Sequence, residues 1–137
     1  MSDIIKHECG IALIRLRKPL AYYIEKYGTP TYASRKLYLL MEKQKNRGQD
    51  GAGVVNIKLQ QEPGLKYISR YRSVDQDPIS DIFRKINKKY QKAQRQGEVF
   101  YDADWLRANV AFTGELWLGH LRYGTHGKNS IENCHPL

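Results

Sequence analysis

Three short clusters of chemically capable residues lie far apart in this chain of 137 residues. The first is His7-Glu8-Cys9-Gly10-Ile11, which carries a thiol. The second is Asn46-Arg47-Gly48-Gln49-Asp50-Gly51-Ala52-Gly53-Val54, a cation and a carboxylate set among glycines. The third is Gly119-His120-Leu121-Arg122-Tyr123-Gly124-Thr125-His126-Gly127, which runs on to Ser130-Ile131-Glu132-Asn133 and Pro136. A thiol is a candidate nucleophile, and a guanidinium is a candidate clamp for a carboxylate. Each cluster also has an ordinary structural explanation. A Cys that opens an apolar strand is commonly a small core residue. Arg-Gly-Gln-Asp-Gly suits a helix-to-strand turn, and Gly-His-Leu-Arg-Tyr suits a strand end. Cys134 and His135 near His126 would begin a zinc site, but a second close pair of soft ligands is missing, so no metal is expected.

These clusters need elements to hold them. Cys9 to Arg17 is rich in Ile and Leu and alternates toward its end, which predicts a strand that is largely buried at first. Pro19 to Tyr27, closed by Gly28, predicts a short helix. Ser34 to Lys45 predicts a longer one, capped by Ser34 or Thr31, with Leu37, Leu40, Met41 and Gln44 on one face. Arg47-Gly48 would end it, Gly48 serving as a left-handed cap. A strand is expected over Gly51–Leu59, a turn over Gln60–Gly64, and a weaker strand over Leu65–Ser73. Asp77-Pro78 then starts a helix. Its apolar stripe is Ile79, Ile82, Phe83, Ile86, Tyr90 and Ala93, and Gly97 stops it. Asp102–Ala108 reads as one or two helical turns and Thr113–Tyr123 as the last strand. The chain beyond is polar and rich in turn formers.

Hydrophobic residues make up 41% of the chain and charged residues 27%, ordinary values for a globular domain. No apolar run is long enough to cross a bilayer, and Met1 to Glu8 lack the form of a secretory signal, so a cytoplasmic protein is expected. Cys9 and Cys134 are then expected as free thiols. The net charge of +9 raises the question of an acidic or phosphate-bearing partner. Much of the excess lies in Lys66, Arg70, Arg72, Arg84, Lys85, Lys88, Lys89, Lys92 and Arg95. A solvated helix face with its neighbouring loops is the expected explanation, with no nucleic acid required.

In this order the three clusters resemble the class II, N-terminal-nucleophile glutamine amidotransferases, and most of all the glutaminase domains of the amidophosphoribosyltransferases. The family pattern is Cys-Gly-Ile/Val, then Arg-Gly-Gln-Asp-x-Ala-Gly, then Gly-His-x-Arg-Tyr-x-Thr. Cys9, Gly10, Arg47 to Asp50, Ala52, Gly53, Gly119, His120, Arg122, Tyr123 and Thr125 match it. Gln49 and Tyr123 favour the purine-synthesis enzymes. Thr125-His126-Gly127 and His135-Pro136 lean toward the glucosamine-6-phosphate synthases. The likeness covers Ile5 to about Val55 and Glu115 to Leu137. The stretch between, about 58–113, is longer and more basic than the family pattern and matches none of its motifs.

The resemblance implies an α+β fold, the αββα sandwich of the N-terminal-nucleophile hydrolases, with two antiparallel sheets between helical layers, truncated here on its C-terminal side. It implies a propeptide at Met1–Glu8 and, from Cys9 to Leu137, the front part of a glutaminase domain. It implies Cys9 as the catalytic nucleophile, with Arg122, Tyr123, Gly124 and Thr125 binding substrate and Gly10, Arg47, Gly48, Asp50 and His120 in support. Asp50 is also suited to hold its turn by side-chain to backbone hydrogen bonds. Amide hydrolysis asks for a nucleophile, a base, a clamp and oxyanion donors. The family's oxyanion residues and its α-amine-binding acid would lie beyond Leu137. The implied partners are glutamine, the C-terminal remainder of the polypeptide and, at full length, further copies of the protein, with no membrane. No cofactor is implied in this domain; Mg2+ would belong to a separate phosphoribosyltransferase domain. A glucosamine-phosphate or glutamate synthase relative and a non-catalytic glutamine sensor are the alternatives.

Overall fold

The computed structural model describes residues 9–45, 50–122 and 135–136. They form an α+β fold. In chain order the elements are β1 (Gly10–Arg15), α1 (Leu20–Tyr27), α2 (Tyr32–Gln44), β2 (Gly51–Ile57) and β3 (Ile68–Ser73). Then come α3 (Pro78–Gln94), a 3-10 turn (Glu98–Tyr101), α4 (Ala103–Asn109) and β4 (Leu116–Arg122). The strands make one open antiparallel sheet in the order β1-β4-β2-β3.

Strand register divides the side chains between two faces. On one face Ala12, Leu121, Trp117, Ala52 and Val54 are buried beneath α2 and α3. Leu37 and Met41 of α2 and Ile79, Ile82 and Ile86 of α3 complete that core. Gly119 marks the close approach of α2: a Cβ there would lie 2.6 Å from the Met41 sulfur. The other face carries Ile11, Leu13, Val55, Ile57, Leu116, Leu118 and Ile68. Ile11 is 64% exposed and Leu13 62% exposed. This corrects the expectation of a strand buried from its start. β1 is an edge strand, and its first apolar residues point to the face that no described helix covers.

Local signals act largely as expected. Gly28 takes φ 73° and its N–H bonds to the Ile24 carbonyl, a left-handed end for α1. The Asp77 carboxylate accepts from Ser80 N at 3.3 Å, with Pro78 in the first turn of α3. All six residues of the α3 stripe are buried. Gly97, at φ 93°, precedes the 3-10 turn; α3 itself ends at Gln94. In α2 three details differ. The helix begins at Tyr32, so Ser34 lies inside it and is buried, and Thr31 at the N-cap makes no side-chain cap bond. Leu40 is 39% exposed, because the buried stripe is Ala33, Ser34, Leu37 and Met41. The helix ends at Gln44 with Lys45 extended, ahead of Arg47 and Gly48, which lie outside the described residues.

The basic stretch 58–113 is woven into this core. It supplies β3 as an edge strand and α3 as a covering helix. Asn56, fully buried in β2, ties the start of β4 in place. It donates to the carbonyls of Gly114 (3.0 Å) and Leu116 (3.2 Å) and accepts from Gly114 N (2.7 Å). Arg107 of α4 pairs with Glu115, and Lys58 Nζ donates to the Arg107 carbonyl at 2.7 Å. Burial, then the charges of Arg107 and Lys66, lower the Lys58 ammonium below its usual value. Among the described residues no helix is long and apolar enough to cross a membrane.

Candidate functional site

The sheet brings parts of all three sequence clusters to one of its ends. Gly10 pairs with Leu121, so Cys9, one residue earlier, stands at the end where β4 finishes with Arg122. Gly51 opens β2 opposite Arg122, and Asp50 N donates to the Arg122 carbonyl at 2.8 Å. Gly53 and Ile11 flank His120 from either side. Alternation along the strands sends Leu121 into the core and His120 and Arg122 to the open face. The same alternation, continued one residue before β1, assigns Cys9 to that face. Cys9 is exposed and its thiol is free.

The neighbourhood of His120 is crowded and positive. Its side chain is buried, and the His135 ring meets it edge-on, with centroids 4.8 Å apart and planes at 88°. The His135 carbonyl comes down onto Gly53, where a Cβ would lie 1.6 Å from that oxygen. Only glycine leaves room for this crossing. Burial, and then the charges of His135 and Arg122, hold the His120 imidazole below its usual value. His120 Nδ1 and Arg122 Nη1 are both buried and without a hydrogen-bond partner among the described residues. A buried unpartnered guanidinium nitrogen is costly, and an anionic ligand would relieve that cost.

The start of β1 is held from below. Gln44, the last residue of α2, donates from Nε2 to the Ile11 carbonyl at 3.1 Å. A Cβ on Gly10 would lie 2.6 Å from Gln44 Oε1, so a side chain at position 10 would displace this brace. Sequence reasoning placed Gln44 only on an apolar helix face and gave His135 no place near His120. The one available signal for Gln44 was a polar residue closing an otherwise apolar stripe.

Cys9, Gly10, Asp50, His120 and Arg122 therefore converge, while Arg47, Gly48, Tyr123, Gly124 and Thr125 lie outside the described residues, as do Met1–Glu8 and Cys134. Among the described residues no group of three or more His, Cys, Asp or Glu could hold a metal ion. What the geometry offers is a free thiol, a guanidinium with one nitrogen unpartnered among the described residues, and a buried imidazole at one rim. Comparison of the chain with protein-family models, with curated proteins and with solved structures finds no match to any of them.

Proposed function

We propose that this chain is the nucleophile-bearing front part of a class II glutamine amidotransferase domain, nearest in pattern to the amidophosphoribosyltransferases. One observation carries the reading. Cys9, Asp50 and Arg122 belong to three separate sequence motifs and meet at one sheet end, with the Asp50–Arg122 backbone bond fixing two of them. The open apolar face gives further support. In an αββα sandwich a second antiparallel sheet would cover Ile11, Leu13 and Leu118, and the helices already lie on the opposite face.

In this reading the side-chain amide of glutamine is cleaved in two steps. Removal of Met1–Glu8 leaves Cys9 with a free α-amine, whose pKa of about 8 suits a base at neutral pH. The amine takes the thiol proton as sulfur bonds to the amide carbon. The C–N bond then breaks, the proton passes to the departing nitrogen, and ammonia leaves a thioester on Cys9. Water, deprotonated by the same amine, cleaves the thioester to glutamate and restores the thiol. Arg122 binds both oxygens of the α-carboxylate through its planar fork. His120 stands beside that clamp, its imidazole held below its usual value by burial and by the charges of His135 and Arg122. Ammonia passes to an acceptor bound by another domain, phosphoribosyl pyrophosphate in the purine-synthesis enzymes.

The test is glutamine hydrolysis by the full-length polypeptide, with intact mass recorded alongside. The mature protein is expected to begin at Cys9, and a thiol-directed glutamine analogue should add its mass once, at Cys9. Cys9→Ala should abolish both hydrolysis and labelling. Glutamine turnover by protein that retains Met1–Glu8 would refute the N-terminal-nucleophile mechanism.

A further inference from the structure

A second concavity, unrelated to Cys9 and Arg122, lies between α2 and α3, an open groove of about 860 Å³. Away from the helix ends, the backbone groups of both walls are bonded within the helices. A strand laid between them would find no row of free N–H and C=O groups to pair with. An occupant must therefore satisfy its own backbone and be recognised through side chains. A helix seated between two others does both.

The side chains on the walls say what pattern that helix needs. On α2, Arg35 and Leu39 stand one turn apart, and Leu39 is 52% exposed although apolar. On α3, Arg84 and Lys88 stand one turn apart. Tyr101 of the 3-10 turn, 49% exposed, adds a second open apolar surface. No Asp or Glu lines the groove among the described residues. Arg84 is bonded to Asp81 at 2.6 Å. Arg35 and Lys88 have no ion-pair partner among the described residues, so each wall carries an uncompensated cation beside exposed apolar surface. A second copy of this chain does not complement that. Each of the four α-helices among the described residues has a single acidic residue, Glu25, Glu42, Asp81 or Asp104. Asp81 is already held by Arg84, Lys85 and Ser73. A net charge of +9 also sets two copies against each other.

We propose that the α2–α3 groove is a docking site for an acidic amphipathic helix of a partner protein. The apolar stripe of that helix rests on Leu39 and Tyr101. Carboxylates on its two flanks meet Arg35 on one wall and Lys88 on the other through charge-assisted hydrogen bonds. Opposite charge steers the approach and fixes the register, and burial of the apolar stripe supplies the affinity. The basic excess of α3, otherwise only a solvated face, then has a use on the side of the helix that faces α2.

The test is a fluorescence anisotropy titration of the full-length polypeptide, and of this chain, with a labelled synthetic helix of about five turns, near the length of α3. The peptide carries Leu along one face and Glu along both edges of it. One control peptide has Ser in place of every Leu, and another has Lys in place of every Glu. Saturable one-to-one binding is expected, roughly tenfold or more tighter than for either control. Arg35→Glu and Lys88→Glu should each weaken it about tenfold, and Leu39→Ser somewhat less. Lys92→Glu makes the same charge change but lines a separate hollow beside Trp105, and should leave binding nearly unchanged. All four side chains are exposed. Circular dichroism checks folding, and Arg35→Ala or Lys88→Ala replaces a charge reversal that does not fold. Absence of saturable binding would overturn the proposal. Binding by this chain but not by the full-length polypeptide would overturn it too, since the rest of the polypeptide would then fill the groove. Equal binding of the Ser peptide, or equal weakening by Lys92→Glu, would reduce the effect to diffuse charge and sink the docking site. Displacement of the peptide by a short single-stranded oligonucleotide, with steep salt dependence, would give the groove to nucleic acid instead.

Discussion

The two faces of the sheet have similar sequence and different surroundings. Ala12, Val54, Trp117 and Leu121 face α2 and α3 and are almost fully buried. Ile11, Leu13, Leu118 and Ile68 alternate with residues of that face, are as apolar, and lie half-buried or exposed. The chemistry follows the open face. His120 and Arg122 are there by strand alternation, whereas the helix-covered face carries packing residues and the buried Asn56. The helix-covered face fixes the positions of the strand ends, and on the other face His120 is enclosed by His135 while Arg122 Nη1 is left without a hydrogen-bond partner among the described residues.

The largest expected effects compare the faces directly. Ile82→Ala removes a fully buried side chain beneath the sheet and should cost about 2–5 kcal/mol in chemical denaturation. Leu13→Ala in the same chain should cost about 0.5 kcal/mol or less, because the side chain is already largely in water. In the full-length polypeptide the Leu13 cost should rise to about 2 kcal/mol, as expected for a face covered by a second sheet. A Leu13 cost that stays small there would remove the sandwich from the proposed function.

Next in size is the clamp. Arg122→Lys keeps the charge and loses the fork, so the glutamine KM of the full-length polypeptide should rise at least tenfold. That corresponds to about 1.5–3 kcal/mol for a charge-assisted contact. Since Arg122 Nη1 has no hydrogen-bond partner among the described residues, stability should change little. An unchanged KM would end the assignment, and a large stability loss would give Arg122 a structural role instead.

The helix-covered side offers a smaller effect. Asp77→Ala removes the side-chain cap of α3, the helix that covers β2 and β3. A loss of about 1 kcal/mol in denaturation is expected, with no change in glutamine KM. A change in KM would couple the covering helix to the sheet end and blur the division between the faces.

How far the sequence could be read follows the same division. The α3 stripe was fully legible, since six apolar residues at helical spacing require a partner and the sheet supplies one. Ile11, Leu13 and Leu40 were read too simply. Hydrophobicity shows that a residue can be buried, but not whether a second layer is present to bury it. Asn56 was silent, because an Asn within an alternating strand resembles a solvent-facing residue until its partners at Gly114 and Leu116 are known. Of the candidate site, the resemblance of the three clusters to the amidotransferase pattern pointed to Cys9, Asp50, His120 and Arg122, and strand register brings these four to one end. The contribution of Gln44 and the closure of His135 over Gly53 depend on contacts distant in sequence, which motif spacing does not encode.

The smallest expected effect separates the faces by pH. On the open face, burial and the charges of His135 and Arg122 hold His120 below its usual value. On the covered side, burial alone would raise the Asp81 carboxyl. The Ser73 hydrogen bond at 2.6 Å and the charges of Lys85 and Arg84 outweigh it and hold the carboxyl below its usual value. Both folded-state values are depressed, so in both cases the unfolded chain binds protons first as pH falls, and stability falls with pH. The windows differ. The His120 contribution is complete above its unfolded value of about 6.5 and is lost as pH drops through the depressed folded value. The Asp81 contribution persists until pH falls below about 3.9. Urea denaturation across pH should therefore show two successive losses. His120→Gln should erase the one nearer neutrality and keep the acid one, because Gln fills a similar place and does not titrate. Ser73→Ala should leave the loss nearer neutrality in place and reduce the acid one. If His120→Gln left the profile unchanged above pH 4, the imidazole would titrate alike in folded and unfolded chains, and its enclosure between His135 and Arg122 would have no energetic consequence.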